Sequence, residues 1–278
     1  MKRHPNQGLR GMLGALCLLL PASLHAAPIV TSATGVIPAD LQATVDAFRT
    51  AIGNPNNGNN PGPLASGRRE INWDGGGATT PTVTGTPLTA FTNTRGATMT
   101  TPGTGFIQGS PAALATQFVN PSYGTTFAAF SPERLFTPIG SNITDITFSI
   151  PGSNGASPAF VSAFGAIFSD VDTNATTMQF FSPIGTLLGT FGAPSLPGDA
   201  RFSFVGVRFD AGEQIGRVRI TTGNTQLGAM VDGPFVDVVA MDDFIYSEPI
   251  PEPGTLGLVG LGLAGIAKAG RRRRPVRV

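Results

Sequence analysis

The sequence predicts a mainly β chain: a jelly-roll-like β-sandwich with one short N-terminal helix, a cleavable signal helix before it and a C-terminal transmembrane helix after it. Three observations carry that prediction. The 278 residues include 37 Gly and 24 Pro, and since Gly costs about 1 kcal/mol and Pro about 3 kcal/mol inside a helix, a helical bundle is excluded. Eleven short runs rich in Val, Ile, Phe and Thr recur between Gly, Pro and Asn turns, at the spacing of a sandwich. In the soluble part a helical apolar period is convincing once, at Leu41, Val45, Phe48 and Ile52.

The elements follow in order. Residues 1–10 carry positive charge, 12–20 (MLGALCLLL) are apolar, and small residues end at Ala26, so 1–26 reads as a signal peptide for signal peptidase and is too short to stay in a bilayer as an anchor. Cys17 lacks the small preceding residue of a lipobox, which sets aside a lipoprotein. The second segment, 27–67, holds the helix 38–52, with Pro38 at its start and Gly53 at its end, followed by the Asn/Gly/Pro-rich loop 54–67. That loop has no Lys and no following helix, so it does not cradle phosphate.

The body, 68–248, is the β-sandwich, with strands expected at 70–73, 106–108, 116–119, 127–130, 143–150, 160–169, 177–181, 187–191, 201–209, 216–222 and 236–247. Arg217 and Arg219 alternate with Val218 and Ile220, which gives that strand one wet face. Phe202 and Phe204 oppose Val205, Val207 and Phe209, so that strand is expected to be buried on both faces.

The last segment, 249–278, is built of three parts. Pro251, Glu252 and Pro253 stay extended, because the prolines cannot join a helix. Thirteen nearly uncharged residues, 255–267, rise about 20 Å as a helix, short of the roughly 30 Å hydrocarbon core, and are expected to hold the membrane only transiently. Lys268 and the block Arg271, Arg272, Arg273 and Arg274 stop the segment on the cytoplasmic side by the positive-inside rule. This order of Pro-Glu-Pro, Gly-rich apolar stretch and Arg cluster closely resembles the PEP-CTERM sorting signal of exopolysaccharide-producing Gram-negative bacteria. The resemblance implies processing by an exosortase, a membrane protease-transpeptidase that reads Pro251, Glu252 and Pro253, and then transfer to the envelope surface or release. The body, through 67–74 (GRREINWD), 168–172 (FSDVD) and 241–244 (MDDF), is similar to uncharacterised exported proteins with this signal, a likeness that brings no activity with it.

Residue usage removes most catalytic classes. Cys17, His4, His25, Lys2 and Lys268 are the only Cys, His and Lys, and all lie in or beside the terminal segments. The body therefore has no His base, Cys nucleophile, Schiff-base Lys, disulfide or His/Cys zinc site. The whole stretch between the basic termini, Asp40 to Glu252, carries nine Arg against all 17 Asp and Glu, a charge of −8, which repels nucleic acid. The expected function is a non-catalytic surface or matrix protein, with exopolysaccharide as a partner and no catalytic residue. The alternative is a hydrolase of glycosidic bonds, which needs two carboxylates about 5 to 10 Å apart across a cleft, and no motif marks such a pair.

Two acidic sets and one aromatic remain as candidate sites. In 237–246 strict alternation puts Asp242 on one face and Asp243 on the other, each amid apolar neighbours, so at least one needs a partner: Arg217, Arg219, Arg208, a backbone N–H or a cation. Asp170 and Asp172, with Asn174 after them, offer hard oxygens of the kind Ca²⁺ takes, but Ala175 and Phe181 stand where an EF-hand needs Gly and Glu. Arg or backbone satisfaction, exposure at a strand end and a structural Ca²⁺ held by Asp170, Asp172, Asp242 and Asp243 stay open at this point. Trp73 is the candidate plane for stacking a sugar ring, against the plainer reading of core packing, and Tyr123 and Tyr246 are the other two Trp or Tyr planes of the body.

Overall fold

The computed structural model describes residues 27–75 and 80–252. In chain order the elements are β1 (Ile29–Gly35), α1 (Pro38–Ile52), β2 (Arg68–Ile71), β3 (Thr82–Gly85), β4 (Ala97–Thr100), β5 (Gly105–Gly109), α2 (Pro111–Gln117) and α3 (Tyr123–Thr126). They continue with β6 (Leu135–Ile139), β7 (Ile143–Ser149), β8 (Pro158–Phe160), β9 (Ala163–Ser169), β10 (Thr177–Phe181) and β11 (Leu187–Gly192). The last are β12 (Phe202–Arg208), β13 (Arg217–Thr221), β14 (Ala240–Ser247) and β15 (Ile250–Pro251). Two antiparallel sheets form. One runs β1-β12-β9-β14-β6-β5-β3 with β2 also paired to β14; the other runs β11-β10-β13-β7-β8-β15 with β4 also paired to β7.

The sheets differ in burial because helices cover one of them. Phe164, Phe168, Val205, Val207, Met241 and Phe244 of the first sheet meet Ile146, Met178, Phe180, Val218 and Ile220 of the second in the main core. Behind the first sheet, α1 brings Leu41, Val45 and Phe48 onto Ala163, Ile167, Phe202, Phe204 and Ile245. The segment around α2 and α3 covers the rest with Leu114, Tyr123 and Phe127 against Ile107, Leu135, Val238 and Ala240. Strands β9 and β14 are consequently buried at every residue. The outer face of the second sheet is wet, and β13 alternates as its sequence requires. There Arg217 Nη1 and Arg219 Nη2 grip Asp145 at 2.6 and 2.7 Å.

Helix α1 covers its predicted span, and β12 is two-faced as expected: Phe202 and Phe204 lie under α1, while Val205, Val207 and Phe209 enter the main core. Asp40 closes the helix start by accepting from the N–H groups of Val36 and Ile37 at 2.8 and 3.1 Å. Two expected strands are corrected. Residues 116–119 belong to the end of α2 and its cap, because Ser110 caps the helix through Ala113 N at 3.3 Å, Pro111 sits at its first position and Ala112, Ala113 and Leu114 favour a helix. Residues 127–130 form no strand: Phe130 N is taken by a side chain, Asp242 Oδ2, at 2.6 Å. The expected run 160–169 divides into β8 and β9, and β1, β3, β4, β6 and β15 are additions to the expected set.

The Asn/Gly/Pro-rich loop is held by a buried ion pair. Arg69 is fully buried and meets Glu248 through Nε to Oε2 and Nη2 to Oε1, both at 2.7 Å. The same Arg donates to Gly58 O and Asn60 O, while Glu248 accepts from Asn57 Nδ2 and Leu64 N. The bidentate geometry and four further bonds satisfy both charges away from water.

Candidate functional site

The acidic residues fall into two separate clusters, and the first lies where three loops meet. Ser169 at the end of β9 is opposite Phe202 of β12 and Ala240 of β14, so the turn after β9 converges with the approaches to the two neighbouring strands. Asp170 stands there in a left-handed conformation, φ 72°, with 0% of its surface exposed. Among the described residues neither of its carboxylate oxygens has a hydrogen-bond partner. One oxygen each from Asp170, Asp199 and Asp232 lie within 4.8 Å of one another; Asp199 is exposed and Asp232 half-buried.

Asp172 and Asp237 organise the loops around this centre. Asp172 Oδ1 accepts from Gly198 N at 2.8 Å, tying the approach to β12. Asp237 accepts from the N–H groups of Asp172 and Thr173 and from the Thr173 hydroxyl. Asp232 Oδ1 accepts from Val238 N at 3.3 Å. Among the described residues none of these five carboxylates forms an ion pair. Burial, followed by the charges of Asp232, Asp172, Asp199 and Asp237, pushes Asp170 up to about 9. Burial also dominates at Asp232, which is pushed up to about 6.

The second cluster is distinct. A bulge between Met241 and Phe244 breaks the alternation of β14, so Met241 and Phe244 both enter the main core and the two Asp between them share Ser131. Ser131 Oγ lies 3.2 Å from Asp242 Oδ1, 2.7 Å from Asp243 Oδ1 and 3.3 Å from Asp74 Oδ2. Asp242 also accepts from Phe130 N, and Asp243 Oδ2 receives Arg49 Nη2 at 3.3 Å. The Arg partners expected from sequence are engaged elsewhere: Arg217 and Arg219 with Asp145, Arg208 with Asp210. Asp242 and Asp243 therefore do not join Asp170 and Asp172 in one cation set, because an Arg, a Ser and a backbone N–H already satisfy them. Burial, then the neighbouring Asp243 carboxylate, raises Asp242 well above the ordinary value, and burial raises Asp243 despite the bonds from Ser131 and Asp242.

Trp73 is a core residue. Its ring stacks on Phe136 at 3.9 Å, edge contacts come from Phe91 and Phe244, and Nε1 donates to Asp242 O at 2.8 Å. Only 2% of it is exposed, so no face is left for a sugar ring; Tyr123 and Tyr246 are wholly buried as well. This corrects the reading of Trp73 as a ligand platform.

The C-terminal edge begins at the Glu248 clamp. Ile250 and Pro251 pair with Phe160 and Ala159 of β8, and Glu252 N approaches Pro158 O at 3.4 Å. Pro251 lacks an N–H, which suits an edge strand. Pro251 and Glu252 are exposed, and Glu252 lines a cleft of about 420 Å³ together with Arg217, Ser149 and Pro183. Residues 249–274 match the family model of the PEP-CTERM protein-sorting motif. The chain carries a PEP-CTERM sorting signal.

No curated protein and no solved structure matches the chain. The PEP-CTERM signal implies export and sorting by an exosortase as the processing partner. Of its motif residues, Pro251 closes the edge strand β15 and Glu252 follows it, both exposed. Pro253, the apolar run 255–267 and Arg271, Arg272, Arg273 and Arg274 lie outside the described residues, as does the segment 1–26, with Cys17, that is expected to be a signal peptide. Among the described residues no helix is long and apolar enough to cross a membrane.

Sequence reasoning missed Asp199, Asp232 and Asp237. Asp237 falls inside the expected strand 236–247 and Asp199 just before 201–209, but only the pairing of β12 and β14 with β9 brings them and Asp232 to the end of 160–169.

Proposed function

We propose that this chain is a non-catalytic component of the cell envelope surface or extracellular matrix, freed of its leader by signal peptidase and cut at Pro251-Glu252-Pro253 by an exosortase after brief membrane tethering. The observation that carries this reading is the sorting signal, which begins one residue beyond the clamped Glu248. The body supports it. A sandwich whose paired Asp242 and Asp243 are 0% and 2% exposed keeps those carboxylates from any substrate. Its sheets interleave strands distant in sequence, an order we read as jelly-roll-like. Association with exopolysaccharide rests on the sorting signal, since the Trp and Tyr planes of the body are internal.

The test is the intact mass of the protein recovered from envelope and medium. Loss of 1–26 and of the tail beyond the motif is the expected result. A full-length tail in mature material, or a body retained in the cytosol, would overturn the reading. Retention on the producer's own polysaccharide, compared with an unrelated one, tests the association.

A further inference from the structure

We propose that Asp170, Asp199 and Asp232 are the direct ligands of a Ca²⁺ ion that pins together the loops entering β12 and β14 and leaving β9. The argument starts from Asp170. A buried carboxylate with no partner on either oxygen is unfavourable by several kcal/mol when ionised. Taking up a proton removes the charge but leaves an O–H without an acceptor and a carbonyl oxygen without a donor, because both atoms lack partners among the described residues. A cation at the meeting point satisfies charge and lone pairs together.

The donors select the ion. All three are carboxylates, hard oxygen ligands without nitrogen or sulfur, which excludes the preferences of Zn²⁺ and Cu. Oxygens bound to one Ca²⁺ at about 2.3–2.6 Å stand at most about 5 Å apart, and the three here fall within 4.8 Å. Mg²⁺ demands a near-ideal octahedron at about 2.0–2.1 Å and is seldom held by an all-protein carboxylate set, whereas Ca²⁺ accepts six to eight oxygens in flexible geometry. Half-burial of Asp232 and exposure of Asp199 leave an entry path and room for water to complete six to eight ligands.

The surrounding geometry is set up without the ion. Asp172 Oδ1 accepts from Gly198 N, and both oxygens of Asp237 are taken by Thr173 and the Asp172 N–H, which ties the turn after β9 to the loops that carry Asp199 and Asp232. Arg201, whose guanidinium lies near Gly198, forms no ion pair with any of the five among the described residues, so no protein cation stands in for the metal. This inference is independent of the matrix role and of the tail.

The experiment is calorimetric titration and thermal melting of the protein recovered from its producing cells, stripped with chelator and then given CaCl₂ or MgCl₂. One Ca²⁺ per chain and a melting temperature that rises with Ca²⁺ more than with equal Mg²⁺ are expected. Asp199→Ala changes an exposed side chain and leaves the stripped protein's melting point in place, but weakens Ca²⁺ binding by about tenfold or more. Asp242→Asn, in the other cluster, keeps the Ca²⁺ response. No binding heat and no melting shift, an equal response to Mg²⁺, or unchanged affinity in Asp199→Ala would each overturn the assignment. If Asp170→Asn does not fold, the Asp199 variant still decides.

Discussion

The Phe48 ring lies flat against Gly206, so close that a Cβ on that glycine would stand 2.6 Å from Phe48 Cε2. Gly206 is paired with Gly165 on the neighbouring strand, where a Cβ would stand 2.9 Å from Phe48 Cε1. Two glycines side by side thus form the dimple that seats α1 on the first sheet, and Phe204 closes its rim with an edge contact at 5.4 Å. In a strand interior Gly is ordinarily a weakness; here it is the space that the aromatic ring fills.

Gly206→Ala is therefore expected to destabilise the protein by about 1–3 kcal/mol through overpacking, despite the better strand propensity of Ala. Phe48→Leu in the same chain should recover part of that loss. Chemical denaturation of the two single variants and the double variant measures the coupling, and additive effects would remove the dimple from the account.

Arg69→Met is expected to cost about 3–5 kcal/mol, because Glu248 would remain buried with only Asn57 and Leu64 as donors. Arg69→Lys should not rescue it, since an ammonium cannot reproduce the two parallel bonds at 2.7 Å. The loop 54–67 should become the first site of proteolysis in the Met variant, which limited digestion followed by mass spectrometry reads directly. Replacing Arg69 and Glu248 together by apolar residues should cost less than Arg69→Met alone.

How much of this could be read beforehand depends on the range of the interactions. The stripe Leu41, Val45, Phe48 is local, and the expected helix matches α1 from Pro38 to Ile52. The two faces of β12 were legible in Phe202 to Phe209 because alternation is also local. Alternation failed at Asp242 and Asp243, where the bulge shifts parity by one residue without a glycine to mark it. The loop 54–67 was legible as a loop, but not its anchoring, which comes from Arg69 and Glu248, a pair 179 positions apart. Asp170 was visible as a hard oxygen, whereas its companions Asp199 and Asp232 depended on sheet order, which no periodicity encodes.

Asp242 should make stability fall as pH rises. Its folded value lies above the ordinary 3.8, so the folded state binds the proton more tightly. The resulting stabilisation is complete below the unfolded value and is lost as pH climbs toward the folded one. Asp242→Asn, a neutral isostere that can still accept from Phe130 N, should flatten this slope. The difference in melting temperature between wild type and variant, followed upward from pH 4, isolates the effect from other groups. A difference independent of pH would show that Asp242 is ionised throughout.

Asp145 should act in the opposite direction. Burial works to raise its value, but the hydrogen bonds from Arg219 and Arg217 outweigh burial and hold the carboxyl below 3.8. A depressed folded value means that stability is present above the unfolded value and is lost as pH falls through the folded one. Arg217 and Arg219 are 30% and 37% exposed, so water and salt weaken the attraction, and Asp145→Asn should cost about 1 kcal/mol at neutral pH. The variant should lose less than wild type between pH 5 and pH 3, and the gap between them should narrow in high salt. Because Arg217 also lines the cleft beside Glu252, Asp145→Asn leaves a guanidinium freer to meet the motif's own carboxylate. Protection of Glu252 N–H from hydrogen exchange should then stay the same or rise; a fall would show that Arg217 needs Asp145 to shape the edge on which the sorting motif begins.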